Sequence, residues 1–281
     1  MDESDYLESL IEKLMQFTGN TNDQRLILDE KELLYVIAKM EIYYRSKGAL
    51  VEAAAPVTIV GDIHGQFRDL KRIIKHSGMP PDTRYVFLGD YVDRGPFGIE
   101  TVSLIFLFKL RYPGDIFVLR GNHETASTNA VYGFFEKAFD SLPLCCIIAG
   151  KLFAVHGGLS PELNRIDQIR RLTLPISVPE SDCLTSDLLW SDPHPYVKGF
   201  ARNNRGISFV FGADIVETFC RTNGLDMIVR GHQVFPQGYE FFANKKLVTV
   251  FSAPAYHEEF DNTAALLNVS TSLSCSLREY D

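Results

Sequence analysis

Apolar positions define the first elements. Tyr6, Leu7, Leu10, Ile11, Leu14 and Met15 recur at the spacing that lines one face of a helix. A second helix is announced by Asp29 with Glu32 three residues on, which resembles a capping box, and it ends near Gly48. Beyond that the pattern changes. Short β-branched runs appear: "VTIV" at 57–60, "RYVFL" at 84–88, "DIFVL" at 115–119, "LFAV" at 152–155, "DMIV" at 226–229 and "LVTVF" at 247–251. Amphipathic stretches such as "FRDLKRIIKHS" and "IETVSLIFLFKL" lie between them. Strands alternating with helices predict an α/β fold, and the strand-rich last third predicts a central mixed β-sandwich flanked by helices rather than a purely parallel sheet. No repeat or long linker divides the chain. One domain over 1–281 is expected, with a helical part at about 5–48 packed on a core at about 56–277.

Composition narrows the partners. A formal net charge of −8 argues against a nucleic-acid binder that works by neutralising phosphates, and it tolerates basic substrates or partner segments. The acidic start "MDESDYLESL" lacks the layout of a signal peptide, and the run "VSLIFLFKL" is far short of the ~20 residues of a membrane span. Five cysteines without a C-x-x-C indicate neither a disulfide framework nor a thiolate zinc site. A cytoplasmic or nuclear setting, with no nucleic acid and no membrane as partner, is therefore expected.

The chemistry lies where the runs end. "VTIV" feeds "GDIHGQ", "YVFL" feeds "GDYVDRG", "IFVLR" feeds "GNHE", "FAV" feeds "HGG" and "MIVRG" feeds "HQ". Ligands of α/β sheets gather outside the carboxyl ends of strands. Neighbouring strands would therefore bring Asp62, His64, Asp90, Asn122, His156 and His232 into one pocket. Taken singly, His64 or His156 reads as a hydrogen-bonded core histidine, Asn122 as a turn residue and Asp62 as a helix cap. Five independent coincidences of that kind are a poor account of the set. Oxygen and imidazole donors suit Mn, Fe or Zn, and six of them exceed what one catalytic ion needs. Two divalent ions sharing Asp90 is the economical reading, and such a pair suits in-line phosphoryl displacement by an activated water. Within "GDYVDRG", Arg94 offers a planar fork for two phosphate oxygens, while Asp93 is better placed to orient His123 as a general acid.

These motifs carry a resemblance. "GDIHGQ", "GDYVDRG" and "RGNHE" together resemble the signature of the metal-dependent phosphoprotein phosphatases. "HGGLSP", "LLWSDP", "RGISFVFGAD", "RGHQV", "GYEFF" and "FSAPAY…EFDN" extend the likeness to the type-1 serine/threonine protein phosphatases, from about Leu7 to Leu277. The resemblance implies a calcineurin-like metallophosphoesterase fold and hydrolysis of phosphoserine and phosphothreonine in proteins, with two divalent ions (Mn, or Fe and Zn). It implies Asp62 and His64 on one ion, Asn122, His156 and His232 on the other, and Asp90 between them. His123 matches the proton donor and Asp93 its partner. Arg94 and Arg205 match phosphate-holding arginines, with Tyr256 near the pocket and Arg230 a further candidate. It also implies regulatory subunits that dock short hydrophobic motifs in a groove remote from the metals, at Leu152, Met227, Phe241, Leu273, Cys275 and Leu277.

The chain departs from that pattern in three places. The segment after Phe134 is shortened, an internal deletion that would remove packing surface near the second ion. Ala255, His257 and Glu258 stand where the family has asparagine, cysteine and glycine, so covalent capture at that cysteine is not expected. Phe200, Arg202 and Asn204 make the rim before Arg205 more positive. Two alternatives follow: a metallophosphoesterase acting on dinucleoside polyphosphates, disfavoured by "LLWSDP" and "FSAPAY", and a catalytically weak scaffold that binds regulatory subunits. A thiolate phosphatase is disfavoured because no cysteine begins a C-x5-R loop.

Overall fold

The computed structural model describes residues 2–18, 27–125, 135–179, 181–256 and 260–280. In chain order the elements are α1 (Glu3–Gln16), α2 (Glu30–Tyr44), β1 (Leu50–Ala53), β2 (Val57–Val60), α3 (Phe67–Ser77), β3 (Tyr85–Phe87), α4 (Gly98–Arg111) and β4 (Ile116–Val118). A 3-10 turn at Asn122–Glu124 follows, then α5 (Glu136–Asp140), β5 (Cys145–Ile148), β6 (Leu152–Val155), α6 (Asp167–Arg170), α7 (Leu184–Trp190), β7 (Asp192–Pro193), β8 (Phe200–Arg202) and β9 (Phe209–Phe211). The chain continues through α8 (Ala213–Asn223), β10 (Met227–Arg230), β11 (Tyr239–Phe242), β12 (Leu247–Val250), β13 (Ala264–Val269) and β14 (Cys275–Tyr280).

The architecture is the predicted mixed sandwich. One sheet runs β1-β5-β6-β10-β12-β11 and the other β14-β13-β2-β3-β4, with parallel and antiparallel pairs in both. Ile59, Val86, Leu88, Ala154, Val229, Val248 and Leu267 form a dry layer between them. Strands buried on both faces read as continuous apolar runs, which is why "VTIV" and "LFAV" stood out.

Helices cover the outer faces. Asp29 accepts from the Glu32 amide at 2.9 Å while the Glu32 carboxylate accepts from the Asp29 amide at 2.7 Å, so the predicted capping box is formed. Leu7, Leu10, Ile11 and Leu14 of α1 and Leu33, Val36, Ile37 and Met40 of α2 pack with α4, whose residues Gly98 and Glu100–Lys109 are buried. Phe134 itself lies outside the described residues, but the segment after it returns to the core. Phe135, Ala138, Phe139 and Leu142 are buried there, and Arg120 ties α5 to β4 through Asp140 at 2.6 Å. All five cysteines are free, and among the described residues no helix is long and apolar enough to cross a membrane.

Candidate metal centre

Strand order explains the convergence. β2, β3 and β4 lie side by side in one sheet and β6, β10 and β12 in the other, and a bridge between Asp62 and Phe251 joins the sheets where all six end. The loops leaving them carry Asp62 and His64, then Asp90, Asn122, His156, His232 and Tyr256. The turns are tight enough to hold His64, Asp90, Asp93, Arg94 and His232 at φ of +47, +56, +66, +69 and +70°. Positive φ is costly for such residues and persists where surrounding structure over-determines it. Glycines make room: a Cβ on Gly121 would collide with the Asp90 amide and carboxylate.

The buried polar groups point inward. Asp62 Oδ1 accepts from the His232 amide at 3.0 Å and Asp90 Oδ1 from the His123 amide at 2.9 Å, which leaves each Oδ2 facing the pocket. His64 Nδ1 lies 3.0 Å from the Val92 carbonyl, so Nε2 carries the lone pair; it sits 3.7 Å from Asp62 Oδ2 and 3.5 Å from Asp90 Oδ2. Burial pulls the His64 imidazolium down to about 4, more than the Asp90 charge restores. On the other side His156 Nε2 faces Asn122 Oδ1 at 2.8 Å, His232 Nδ1 at 3.2 Å and Asp90 Oδ2 at 3.4 Å.

That donor set fits cations. At most one proton can lie between His156 Nε2 and His232 Nδ1, yet four lone-pair atoms meet there. Neighbouring ligands on an ion with bonds of ~2.0–2.2 Å sit about this far apart. Two groups of candidate ligands, His64 with Asp90 and His123, and Asp90 with His156 and His232, each gather within 4.8 Å and share Asp90.

The remaining candidates ring this cluster. His123 Nδ1 meets Asp93 Oδ2 at 2.7 Å, and its Nε2 is 4.0 Å from Asp90 Oδ2. Burial disfavours the imidazolium, but the Asp90 charge and the Asp93 hydrogen bond outweigh it and push His123 up to about 9. Tyr256 packs its ring on His64 at 4.8 Å, and burial pushes its phenol up to about 12 although the exposed Arg94 opposes this. Arg205 donates to Asp192 Oδ2 at 2.7 Å from the loop between β8 and β9.

Arg230 requires a correction. It is fully buried, and its guanidinium is committed to the Gly157 and Ser191 carbonyls, Gln233 Oε1 and Asp192 Oδ1. It braces the wall behind the site and offers no free fork to a phosphate. Asp192 was missed by the sequence reading although "LLWSDP" displays it. One carboxylate holds both Arg205 and Arg230, and although burial alone would raise it, His232 and the two arginines hold it below the usual carboxylate range.

The docking candidates are divided. Leu152 and Met227 are register partners, 2% and 9% exposed, and half-buried Leu273 and Leu277 pack on the same inter-sheet cluster. Cys275 is exposed on β14 and Phe241 is 36% exposed on β11. On the positive rim, Arg202 is ion-paired with Asp182 and lies over the Phe209 ring at 5.0 Å. His257 and Glu258 lie outside the described residues.

A fold of two packed mixed sheets, with Asp, Asn and His donors at their shared end, defines a metallophosphoesterase. The profile of the calcineurin-like phosphoesterases matches residues 55–236, and the chain belongs to that family. Among solved structures it is similar to a protein serine/threonine phosphatase from Saccharomyces cerevisiae, itself similar to human phosphatase PP5. That match has a TM-score of 0.84 and 28% identity over 90% of each chain. It also shares its fold with a cold-active protein-tyrosine phosphatase of a psychrophilic Shewanella, with a TM-score of 0.53 and 14% identity over 83% of each chain.

Proposed function

We propose that the protein hydrolyses phosphoserine and phosphothreonine in proteins, as a relative of the type-1 serine/threonine phosphatases. The observation that carries this reading is the single cluster in which Asp90 faces both His64 and His156 while His123 stands beside it on Asp93. Asp62, His64 and Asp90 would hold one divalent ion, and Asp90, Asn122, His156 and His232 the other, with Mn or an Fe–Zn pair suiting these donors. When bound, the pair supplies a nucleophile at neutral pH and offsets charge on the phosphoryl oxygens.

The chain's own residues do the rest. Asp93 orients the His123 ring. Burial disfavours the imidazolium, but the larger effect of the Asp90 charge together with Asp93 keeps it charged, so that it donates a proton to the departing serine or threonine oxygen. Arg94, exposed at the pocket mouth, and Arg205, steered by Asp192, hold the phosphate from two sides. Tyr256 closes the wall over His64. The likeness to the yeast serine/threonine phosphatase supports this substrate class.

The test is turnover of a phosphoserine peptide by purified protein, with and without Mn²⁺, beside Asp90→Asn. Metal-dependent hydrolysis that disappears in Asp90→Asn is expected. Absence of turnover from folded, Mn²⁺-loaded wild type would refute the reading and favour a partner-binding scaffold. Regulatory partners are proposed to add a short apolar segment as a strand along β14, beside Phe241 and Leu277. Phe241→Asp should then lose capture by such a peptide while small-substrate turnover is kept, and unchanged capture would refute the groove.

A further inference from the structure

Glu124 closes the motif "GNHE" directly behind Asn122 and His123. The side chain is completely buried. Its Oε2 accepts from the Asp90 amide at 2.7 Å and the Gly121 amide at 3.0 Å, and its Oε1 accepts from the Tyr91 amide at 2.9 Å. The three donors belong to two different loops, one leaving β3 and one leaving β4. They flank Asp90 on one side and precede Asn122 on the other. No third layer separates these loops: a Cβ on Gly89 would strike the Gly121 backbone, and a Cβ on Gly121 would lie 2.8 Å from Glu124 Oε2. The Glu124 carboxylate thus fits where the two loops meet, beside Asp90 Oδ1, which accepts from the His123 amide across the same junction. It is anchored from behind, since the Glu124 carbonyl accepts from Arg120 Nε at 2.9 Å.

We infer that Glu124 is a positioning residue for the metal centre, setting the separation and direction of Asp90 and Asn122 without touching an ion or the substrate. This rests on the two-ion reading above. Three amide donors satisfied by one carboxylate fix the backbone of both loops before any ion arrives. Asp90 keeps its positive φ and Asn122 Oδ1 stays 2.8 Å from His156 Nε2. Glu124→Gln is nearly isosteric, but its amide nitrogen would confront at least one backbone N–H with a second donor. Outer partners of metal ligands typically contribute 10- to 100-fold in metal affinity, and that is the size expected here.

The experiment uses the full chain stripped with chelator and titrated calorimetrically with Mn²⁺. Wild type should bind two ions. Glu124→Gln should bind about 10–100-fold more weakly and, once saturated, lose kcat with KM unchanged. Lys109→Met, which removes a buried ammonium from the Pro113 and Ile116 carbonyls far from the site, serves as the control for general destabilisation. It should lower thermal stability and leave Mn²⁺ affinity alone. Equal Mn²⁺ affinity in wild type and Glu124→Gln would overturn this inference and leave the two-ion reading standing, whereas a wild type that binds no Mn²⁺ overturns both. A second measurement needs no variant. In chelator-treated wild type the amides of Asp90, Tyr91 and Gly121 should already resist hydrogen exchange, and protection that arises only with Mn²⁺ would overturn the inference.

Discussion

Asp192→Asn tests how the wall of the site is held. The Asp192 side chain is 6% exposed, and it is the ion-pair partner of both the fully buried Arg230, at 3.0 Å, and Arg205, at 2.7 Å. Removing one partner of a buried pair costs ~3–5 kcal/mol because the other charge is left uncompensated. The lower end applies, since Arg230 keeps the Gly157 and Ser191 carbonyls and an asparagine oxygen can still accept from it. Unfolding entropy of about 2.1 cal/mol/K per residue gives about 0.6 kcal/mol/K for this chain, so ~3 kcal/mol should lower Tm by about 5 °C. Calorimetry on wild type, Asp192→Asn and Arg205→Ala would measure it. Arg205 is exposed, so its loss should cost under about 1 kcal/mol and Tm should hardly move. Both variants should raise KM for a phosphopeptide, because each frees or removes the same guanidinium. A Tm for Asp192→Asn within about 1 °C of wild type would refute the claim that this carboxylate compensates Arg230.

Three further outcomes are expected. In chelator-treated protein, His123 should titrate near 9 by NMR and fall in Asp93→Asn. A raised folded value stabilises fully below the unfolded value near ~6.5 and is lost as pH rises through about 9. The stability gap between wild type and His123→Gln should therefore narrow over that window, and a wild-type titration near ~6.5 would contradict it. Gly121→Ala should abolish Mn²⁺-dependent turnover, because the new methyl would displace Asp90, and turnover within about twofold of wild type, the order of ordinary surface substitutions, would count against the close approach. Asp29→Ala should lose about 1 kcal/mol by denaturant titration with turnover unchanged, since it removes only the cap of α2.

Much of the site was legible because each donor follows an apolar run that is buried on both faces. Six strand ends could be found from the apolar runs that precede them, and the sheet order places the loops they feed at one end. Of β7, β8 and β9 none was read as a strand: "DP" and "FAR" lack the continuous apolar run that marks the similarly short β3 and β4, and the apolar "FVF" of β9 was missed. Arg205 was reached only by resemblance: it lies in a loop between two of those strands, and its direction depends on Asp192, thirteen residues away. Arg230 was misjudged for a related reason. Arginine in "RGHQV" looks available, and only the fold shows that carbonyls, Gln233 and Asp192 already occupy it. The positive φ values at His64, Asp90 and His232 are likewise invisible in sequence, since none of these residues announces a left-handed turn as glycine would.

The position of β13 bears on how this protein can be cut. The family profile ends at residue 236, yet β13 lies at 264–269 and sits between β14 and β2 in the middle of its sheet. β12, at 247–250, likewise separates β10 from β11. A fragment trimmed to the recognisable region would expose the bare edges of β2 and β10 and, without α1 and α2, one flank of the buried α4. Unpaired central edges and an uncovered apolar helix invite association between chains. The stretch by which evolution labels the protein is thus expected to associate with itself when made alone.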